Sequence, residues 1–317
     1  MNNKAAPLAS SGPAIAQVVN NERCDVIIVN YNAGRLLLDC IRSLRSDRIS
    51  KIIVVDNNSS DESLAPLSSL ADERLIVIKN EQNLGFSVAC NIGTEYSSSE
   101  LLLFLNPDCI VEPEAISQLV EVLESEKKIG MVGGFLANID GTEQPGGRRF
   151  FPTPERAFMR AFGVYKLSRF FPSARLDFSL HRGPLPTEAT SVDAISGACM
   201  MVKRESIEQV GLWDEGYFLH CEDLDWCMRF KQHGLSVMFV PYAKVTHAWR
   251  ACSKSRPFFV EWHKHGGMLR FYKKFFKQKY SAPLWWLVVL GVFIRGSLVF
   301  AYYGVRLLRE KIGGRRG

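Results

Sequence analysis

The sequence predicts an α/β protein built on a doubly wound, mostly parallel sheet flanked by helices. Three observations carry that expectation. Short β-branched runs, of the kind that form strands buried on both faces, recur through the first half of the chain. Segments with apolar residues at helical spacing separate them, so the order is β-α-β-α. Each run also ends in a polar cluster, and ligands of open sheets lie outside the carboxyl ends of the strands.

Asp25–Asn30 reads as the first strand and Ile52–Val55 as the second. Between them Leu36, Leu37, Cys40, Ile41 and Leu44 mark one apolar helix face. Leu75–Ile78 is a third strand, Val88–Tyr96 a second helix and Leu101–Leu105 a fourth strand. Pro113–Glu124 then reads as a helix, followed by a strand around Met131–Leu136. Residues 140–190 are rich in Gly, Pro, Arg and Phe with little periodicity, which predicts a long loop or lid. Order returns in the apolar segment Ser191–Val202, which holds the small-residue turn Ser196-Gly197-Ala198. Further on, Leu224, Cys227 and Met228 share a helix face, with Glu222, Asp223 and Asp225 in the first turn. The macrodipole favours carboxylates there, which suits either a helix cap or a base in a cleft.

A chain of 317 residues holds one large α/β domain with appendages, or two small domains. Its net charge of +6 hides an asymmetry. From Lys244 to Gly317 there are 16 Lys and Arg against Glu261 and Glu310, a local +14 that leaves −8 for the remainder. The basic residues are interleaved with Trp, Phe and aliphatic runs, which points to a phospholipid surface and not to nucleic acid. Pro283–Tyr303 has the length of a membrane span but carries Arg295 mid-way. Arg295, Arg306 and Arg309 fall on one helical side, so an in-plane or partly inserted helix is favoured over a clean span, with a buried core helix as a third option. The eight cysteines form no CxxC pair or zinc spacing and read as reduced, mostly buried thiols. Residues 1–22 are small and polar and read as a flexible tail.

The strand-end clusters suggest base recognition. Asn30 and Asn32 offer amide donors and acceptors, and Asp56 can accept from a pyrimidine imide N–H, although each residue type also makes ordinary turns. No GxGxxG follows the first strand, which argues against a Rossmann dinucleotide site. The Gly-rich basic loop of a nucleotidylyltransferase is missing there too.

Taken together, the motifs resemble family 2 glycosyltransferases. Asn30-Tyr31-Asn32, Val55 through Asp61, Asn83-Leu84-Gly85-Phe86 through Asn91-Ile92-Gly93 and Leu105-Asn106-Pro107-Asp108 are similar to that family's nucleotide-sugar half. Ser196 through Met200, Gly211 through Glu215, Glu222-Asp223-Leu224-Asp225 with Arg229, and Val245-Thr246-His247 are similar to its acceptor half. Within the family the likeness is greatest to the branch of rhamnosyltransferases that build bacterial surface polysaccharides.

The resemblance implies a GT-A fold over residues 23–255, with a nucleotide-sugar half at about 23–139, the loop or lid, and an acceptor half at about 191–255. Residues 256–317 would be a membrane-associated helical segment. Asp56 would meet the base in a pocket lined by Asn30 and Asn32, while Asn83, Gly85 and Asn91 would shape the loop against base and ribose. Asn106-Pro107-Asp108 occupies the DxD position, making Asp108 and His247 the implied ligands of a divalent cation, Mg²⁺ or Mn²⁺, with Asn106 in place of the first aspartate. Asp223 would be the catalytic base, oriented or raised in pKa by Glu222 and Asp225. Trp213, Asp214 and Asp225 would border the acceptor. Ser87 and Cys90 stand where relatives often carry Gly and Asn.

This chemistry is consistent with the residue types. A nucleotide sugar leaves as a diphosphate whose charge a cation can neutralise, and one carboxylate with phosphate oxygens suffices for Mg²⁺. An imidazole ligand shifts the preference towards Mn²⁺. Arg148, Arg149 and Arg182 are candidates to clamp phosphate or plain surface arginines. The implied enzyme is inverting and works at the cytoplasmic membrane face, as a peripheral, monotopic or single-span protein. It would move a sugar, with dTDP-rhamnose as leading donor, to a lipid-linked glycan, and the alternative is a non-catalytic nucleotide- or glycan-binding relative.

Overall fold

β1 (Cys24–Asn30), β2 (Ile49–Asp56), β3 (Leu75–Lys79) and β4 (Leu101–Leu105) are parallel and adjacent in the order β3-β2-β1-β4. Their side chains explain this. β1 is buried along its whole length and β4 is entirely Leu and Phe, as strands covered on both faces require. The computed structural model describes residues 23–156, 180–248 and 256–313. The tail 1–22 and residues 157–179 of the expected loop or lid lie outside the described residues.

Connections follow the expected helices. α1 (Arg35–Ser43) joins β1 to β2, and α2 (Phe86–Glu95) joins β3 to β4. After β5 (Cys109–Val111) come α3 (Ala115–Ser125) and β6 (Ile129–Ala137). The second half supplies β7 (Arg148–Arg149), β8 (Thr190–Ser191), β9 (Ala194–Ile195), β10 (Cys199–Lys203), α4 (Arg204–Val210), α5 (Glu222–Gln232) and β11 (Ser236–His247). β10 inserts antiparallel between β4 and β6, while β11 runs parallel to β6 and antiparallel to β5 and β8. One nine-stranded mixed sheet results, with β7 and β9 paired separately. The expected 140–190 loop therefore contributes a strand, which carries Arg149 to Asp223 while Arg148 is buried against Glu143 and Phe239.

Two apolar layers cover the sheet. Leu37, Cys40 and Ile41 of α1 and Ile116, Leu119 and Leu123 of α3 pack on one face. Residues of α2 and α5 pack on the other, with Phe104, Trp213, Trp226 and Phe230 at the centre. Trp213 and Trp226 lie 4.1 Å apart between ring centroids, and Phe104 meets both edge-on. Burying each such aromatic stabilises the fold by about 2–3 kcal/mol.

The chain closes with α6 (Pro257–Phe275) and α7 (Ala282–Gly313). The expected boundary at residue 256 is not a break in packing. Phe271, Tyr272, Phe275 and Phe276 are buried in the same layer as Trp226, so α6 belongs to the globular core. α7 returns along α6, with Phe258 against Phe300 and Tyr303. Arg295 reaches across to α6, donating to His265 Nε2 at 2.7 Å, while His265 Nδ1 meets the Glu261 carbonyl. That contact gives the mid-helix guanidinium a hydrogen-bond partner on α6. α7 is the one described helix long and apolar enough to cross a membrane, over Ala282–Leu307, and almost none of that stretch is buried. The core-helix option is thereby set aside.

Candidate active site

The register of β1 against β2 sets Asn30 beside Asp56 at the carboxyl end of the sheet. Both are buried. Asn30 Nδ2 donates to Asp56 Oδ1 at 2.7 Å and also lies within hydrogen-bond distance of Ser59 and Ser63. Ser59 donates from its backbone N–H and its hydroxyl to Asp56. Asn32, in a left-handed conformation at φ 53°, accepts from Ser60 N–H at 2.8 Å. Asn30 thus supports Asp56 from below, while Asn32 shapes the turn beside it. Tyr31, between them, receives a hydrogen bond from Arg256 just before α6.

The adjacent loop is locked by its own polar residues. Asn57 donates to the Gly85 carbonyl, Asn80 donates to Asn57, and Asn83 Oδ1 accepts from Gly85 N–H. Gly85 has φ 88°, and a Cβ there would come within 2.8 Å of the Phe218 carbonyl. Only glycine permits that approach, which lets Phe86 N–H donate to Phe218 O at 2.8 Å. Asn91 faces the acceptor half: it accepts from Trp213 N–H and donates to Trp213 O and Glu215. Ser87 and Cys90 are buried on α2, and burial first, then the charge of Glu222, raises the Cys90 thiol well above its ordinary range.

At the end of β4, pairing of β5 with β11 brings His247 opposite Cys109 and beside Asp108. His247 Nε2 stands 3.0 Å from Asp108 Oδ1 and 3.3 Å from Asn106 Nδ2. Gln144, which the sequence reading did not single out, determines the tautomer. Its Nε2 lies 3.3 Å from both the His247 carbonyl and Asn138 Oδ1, so its Oε1 is the atom facing His247 Nδ1 at 2.6 Å. Oε1 only accepts, so Nδ1 carries a proton and Nε2 is the ring nitrogen turned to Asp108. A buried carboxylate oxygen and an imidazole nitrogen 3.0 Å apart form a donor set suited to a divalent cation. Cys109 shares the cluster, but burial raises its thiol well above the usual range and it donates to Ala198 O. Asp108 and His247 fit a Mg²⁺ or Mn²⁺ site completed by phosphate oxygens.

The third element is the start of α5. His220 and Cys221 are both left-handed, with φ 70° and 72°, conformations that bulky residues adopt at a cost of about 1–3 kcal/mol each. This turn separates three neighbouring carboxylates into three environments. Asp225 is fully buried and bonds Arg229, Tyr217 and Lys274. Glu222 is buried with Oε2 unpartnered among the described residues, and burial, reinforced by the Asp223 charge, pushes its carboxyl up to about 8. Asp223 has a side chain 13% exposed. It meets Arg149 from β7, accepts from Gly197 N–H at 3.3 Å, and caps its own helix through Leu224 N–H.

Trp213 is buried behind Gly197, so its ring forms the floor beneath that turn. Asp214 turns to α6. Burial raises its carboxyl, but Lys274 and Arg270 outweigh this and hold it at about 2. Asp214 and Asp225 together tie α6 to the acceptor half.

Residues 25–211 match the profile of Glycosyl transferase family 2. The chain belongs to that family. It is a glycosyltransferase that uses nucleotide sugar donors. The N-acetylglucosaminyl-diphospho-decaprenol L-rhamnosyltransferase of Mycobacterium tuberculosis is 27% identical over 236 residues, covering 70% of this chain and 75% of the relative. The dTDP-rhamnosyl transferase RfbF of Shigella flexneri is 26% identical over 231 residues, covering 72% and 70%. Among solved structures, the mannosyltransferase PcManGT from Pyrobaculum calidifontis in complex with GDP-Man and Mn²⁺ superposes with a TM-score of 0.54 at 15% identity, over 90% of this chain and 75% of that one. GalNAc-T7 with UDP, GalNAc and Mn²⁺ gives 0.58 at 18% identity, over 80% of this chain and 48% of the other. These two likenesses bear out the GT-A fold.

Proposed function

We propose that this glycosyltransferase inverts configuration while moving rhamnose from dTDP-rhamnose to a lipid-linked glycan at the cytoplasmic membrane face. The observation that carries the reading is the position of Asp223. Of the three carboxylates at the start of α5, Glu222 retains its proton near neutrality and Asp225 is fully buried among Arg229, Tyr217 and Lys274. Asp223, oriented by Arg149 and Gly197 N–H, is the least buried of the three.

In this reading Asp223 takes the proton of the acceptor hydroxyl as that oxygen attacks the anomeric carbon. Gly197 N–H and Arg149 hold its carboxylate in one orientation. Asp56, with Asn30 and Ser59 behind it, accepts from the imide N–H of the base. Asp108 and His247 would hold a divalent cation, which would supply charge neutralisation for the departing diphosphate. The rhamnosyl donor and the lipid-linked acceptor are supported by the two bacterial relatives, whose names carry rhamnose and a diphospho-decaprenol. The membrane assignment is supported by the exposed apolar face of α7 and the local charge of +14 around it.

The test is transfer by the full-length protein in neutral detergent. It uses dTDP-rhamnose and a lipid-linked acceptor, with Mn²⁺, with Mg²⁺ and with chelator. Acceptor-dependent release of dTDP is expected with either cation and lost with chelator. Asp108→Ala should depress both rate and donor affinity. Chelator-resistant transfer refutes the cation site, and transfer from other nucleotide sugars but not from dTDP-rhamnose refutes the donor.

A further inference from the structure

Where α6 ends and α7 begins, the chain forms an open cavity of about 540 Å³ that none of the residues discussed above uses. Lys273, Lys277, Tyr280, Trp285, Trp286 and Val289 line it. Lys274, between the two lysines in sequence, is committed to Asp214 and Asp225. Among the described residues neither Lys273 nor Lys277 has a carboxylate partner, so the cavity is lined by two lysines without a salt bridge. Tyr280 is fixed by donating its hydroxyl to Glu155.

The other wall is aromatic. Trp286 is 66% exposed, and beyond it Leu287, Leu290, Ile294 and Leu298 continue an exposed apolar face along α7. Tryptophan collects at the boundary between head groups and hydrocarbon. A ligand matching both walls carries two negative charges at one end and a long hydrocarbon at the other.

We propose that this cavity binds the diphosphate–isoprenoid junction of the lipid-linked acceptor, an inference that rests on the acceptor class proposed above. Lys273 and Lys277 take one phosphate each, and the hydrocarbon runs over Trp285 and Trp286 onto α7. A diphosphate suits two separate ammonium groups better than the single phosphate of a bulk phospholipid. Lys274 anchors the same stretch of helix to Asp225, two residues from Asp223. The lipid end of the acceptor is thereby held in fixed relation to the base.

The test is calorimetric titration of the full-length protein in neutral detergent with farnesyl diphosphate, farnesol and inorganic diphosphate. Farnesyl diphosphate should bind clearly more tightly than either fragment. Lys273→Gln with Lys277→Gln should weaken it by about tenfold or more, given two charge-assisted contacts removed. Titration with dTDP should be unchanged in that variant, showing that it folds. Equal affinity for inorganic diphosphate, unaltered affinity in the double variant, or displacement by equimolar phosphatidylglycerol overturns the proposal. Lysine-dependent farnesyl diphosphate binding by a protein that binds no dTDP upholds this site and removes the dTDP-sugar donor instead.

Discussion

The strand-end cluster around Asp56 and the helix start around Asp223 are both dense in polar residues, yet they are built in opposite ways. The first consists mostly of amides and hydroxyls that bond one another, with the carboxylates of Asp56 and Asp61 set among Asn30, Asn32, Ser59 and Ser63. The second crowds three carboxylates into one helical turn and gives each a separate fate. Recognition of a base edge, the role proposed for it, needs rigid, preformed geometry, and a lattice of amides and hydroxyls around Asp56 supplies that rigidity. Proton transfer needs one ionised group distinguished from its neighbours, and only different environments achieve that separation.

The largest test of this contrast is Asp223→Asn. Turnover should fall by about 10²–10⁴ while nucleotide affinity stays near the parent value. Steady-state kinetics with dTDP titration separates the two, and retained turnover breaks the assignment of roles within the turn.

Asp225→Ala comes next and reads stability. Arg229, Tyr217 and Lys274 would lose a shared, fully buried partner, at a cost of about 3–5 kcal/mol. Thermal or denaturant unfolding measures it. A loss below about 1 kcal/mol would show that Asp225 is not the structural member of the trio.

The smallest effect belongs to Glu222. Its folded pKa, about 8, lies above the ordinary 4.5, so the folded chain binds this proton more tightly than the unfolded one. The resulting stability is complete below about pH 4.5 and disappears as pH rises through 8. Glu222→Gln should therefore gain on the parent as pH rises, by about 2 kcal/mol between pH 6 and 8. Unfolding curves at several pH values check this, and a pH-independent difference would place an ionised Glu222 beside Asp223.

Much of this was legible in the sequence because strands such as Leu101–Leu105 can only be interior, and because Asp56, Asp108 and Asp223 sit in contiguous motifs at element ends. Gln144, Arg149 and Lys274 were hard to place for the converse reason. Gln144 and Arg149 come from a stretch without periodicity, and pairing of β7 with β9 across more than 40 residues delivers Arg149 to Asp223. Lys274 lies in a run of lysines that reads as surface charge, and only the docking of α6 turns one of them onto Asp214 and Asp225. Arg295 was equally unreadable in one respect: its hydrogen bond to His265, 30 residues earlier, comes from the packing of α7 on α6.

The contacts of Gly85 with Phe218 and of Asn91 with Trp213 also bear on how such enzymes can be recombined. The sequence reading puts the end of a nucleotide-sugar half near residue 139, and that expected boundary invites the exchange of residues 23–139 with a relative that uses another donor. Both contacts cross it. Gly85 approaches a carbonyl that tolerates no Cβ, and Asn91 hydrogen-bonds the Trp213 backbone in both directions. A chimera that moved the first half without the 213–218 turn would set a foreign loop against a backbone shaped for this one. The 85–91 segment and the 213–218 turn are packed as one unit, and a graft that respects the physics carries both.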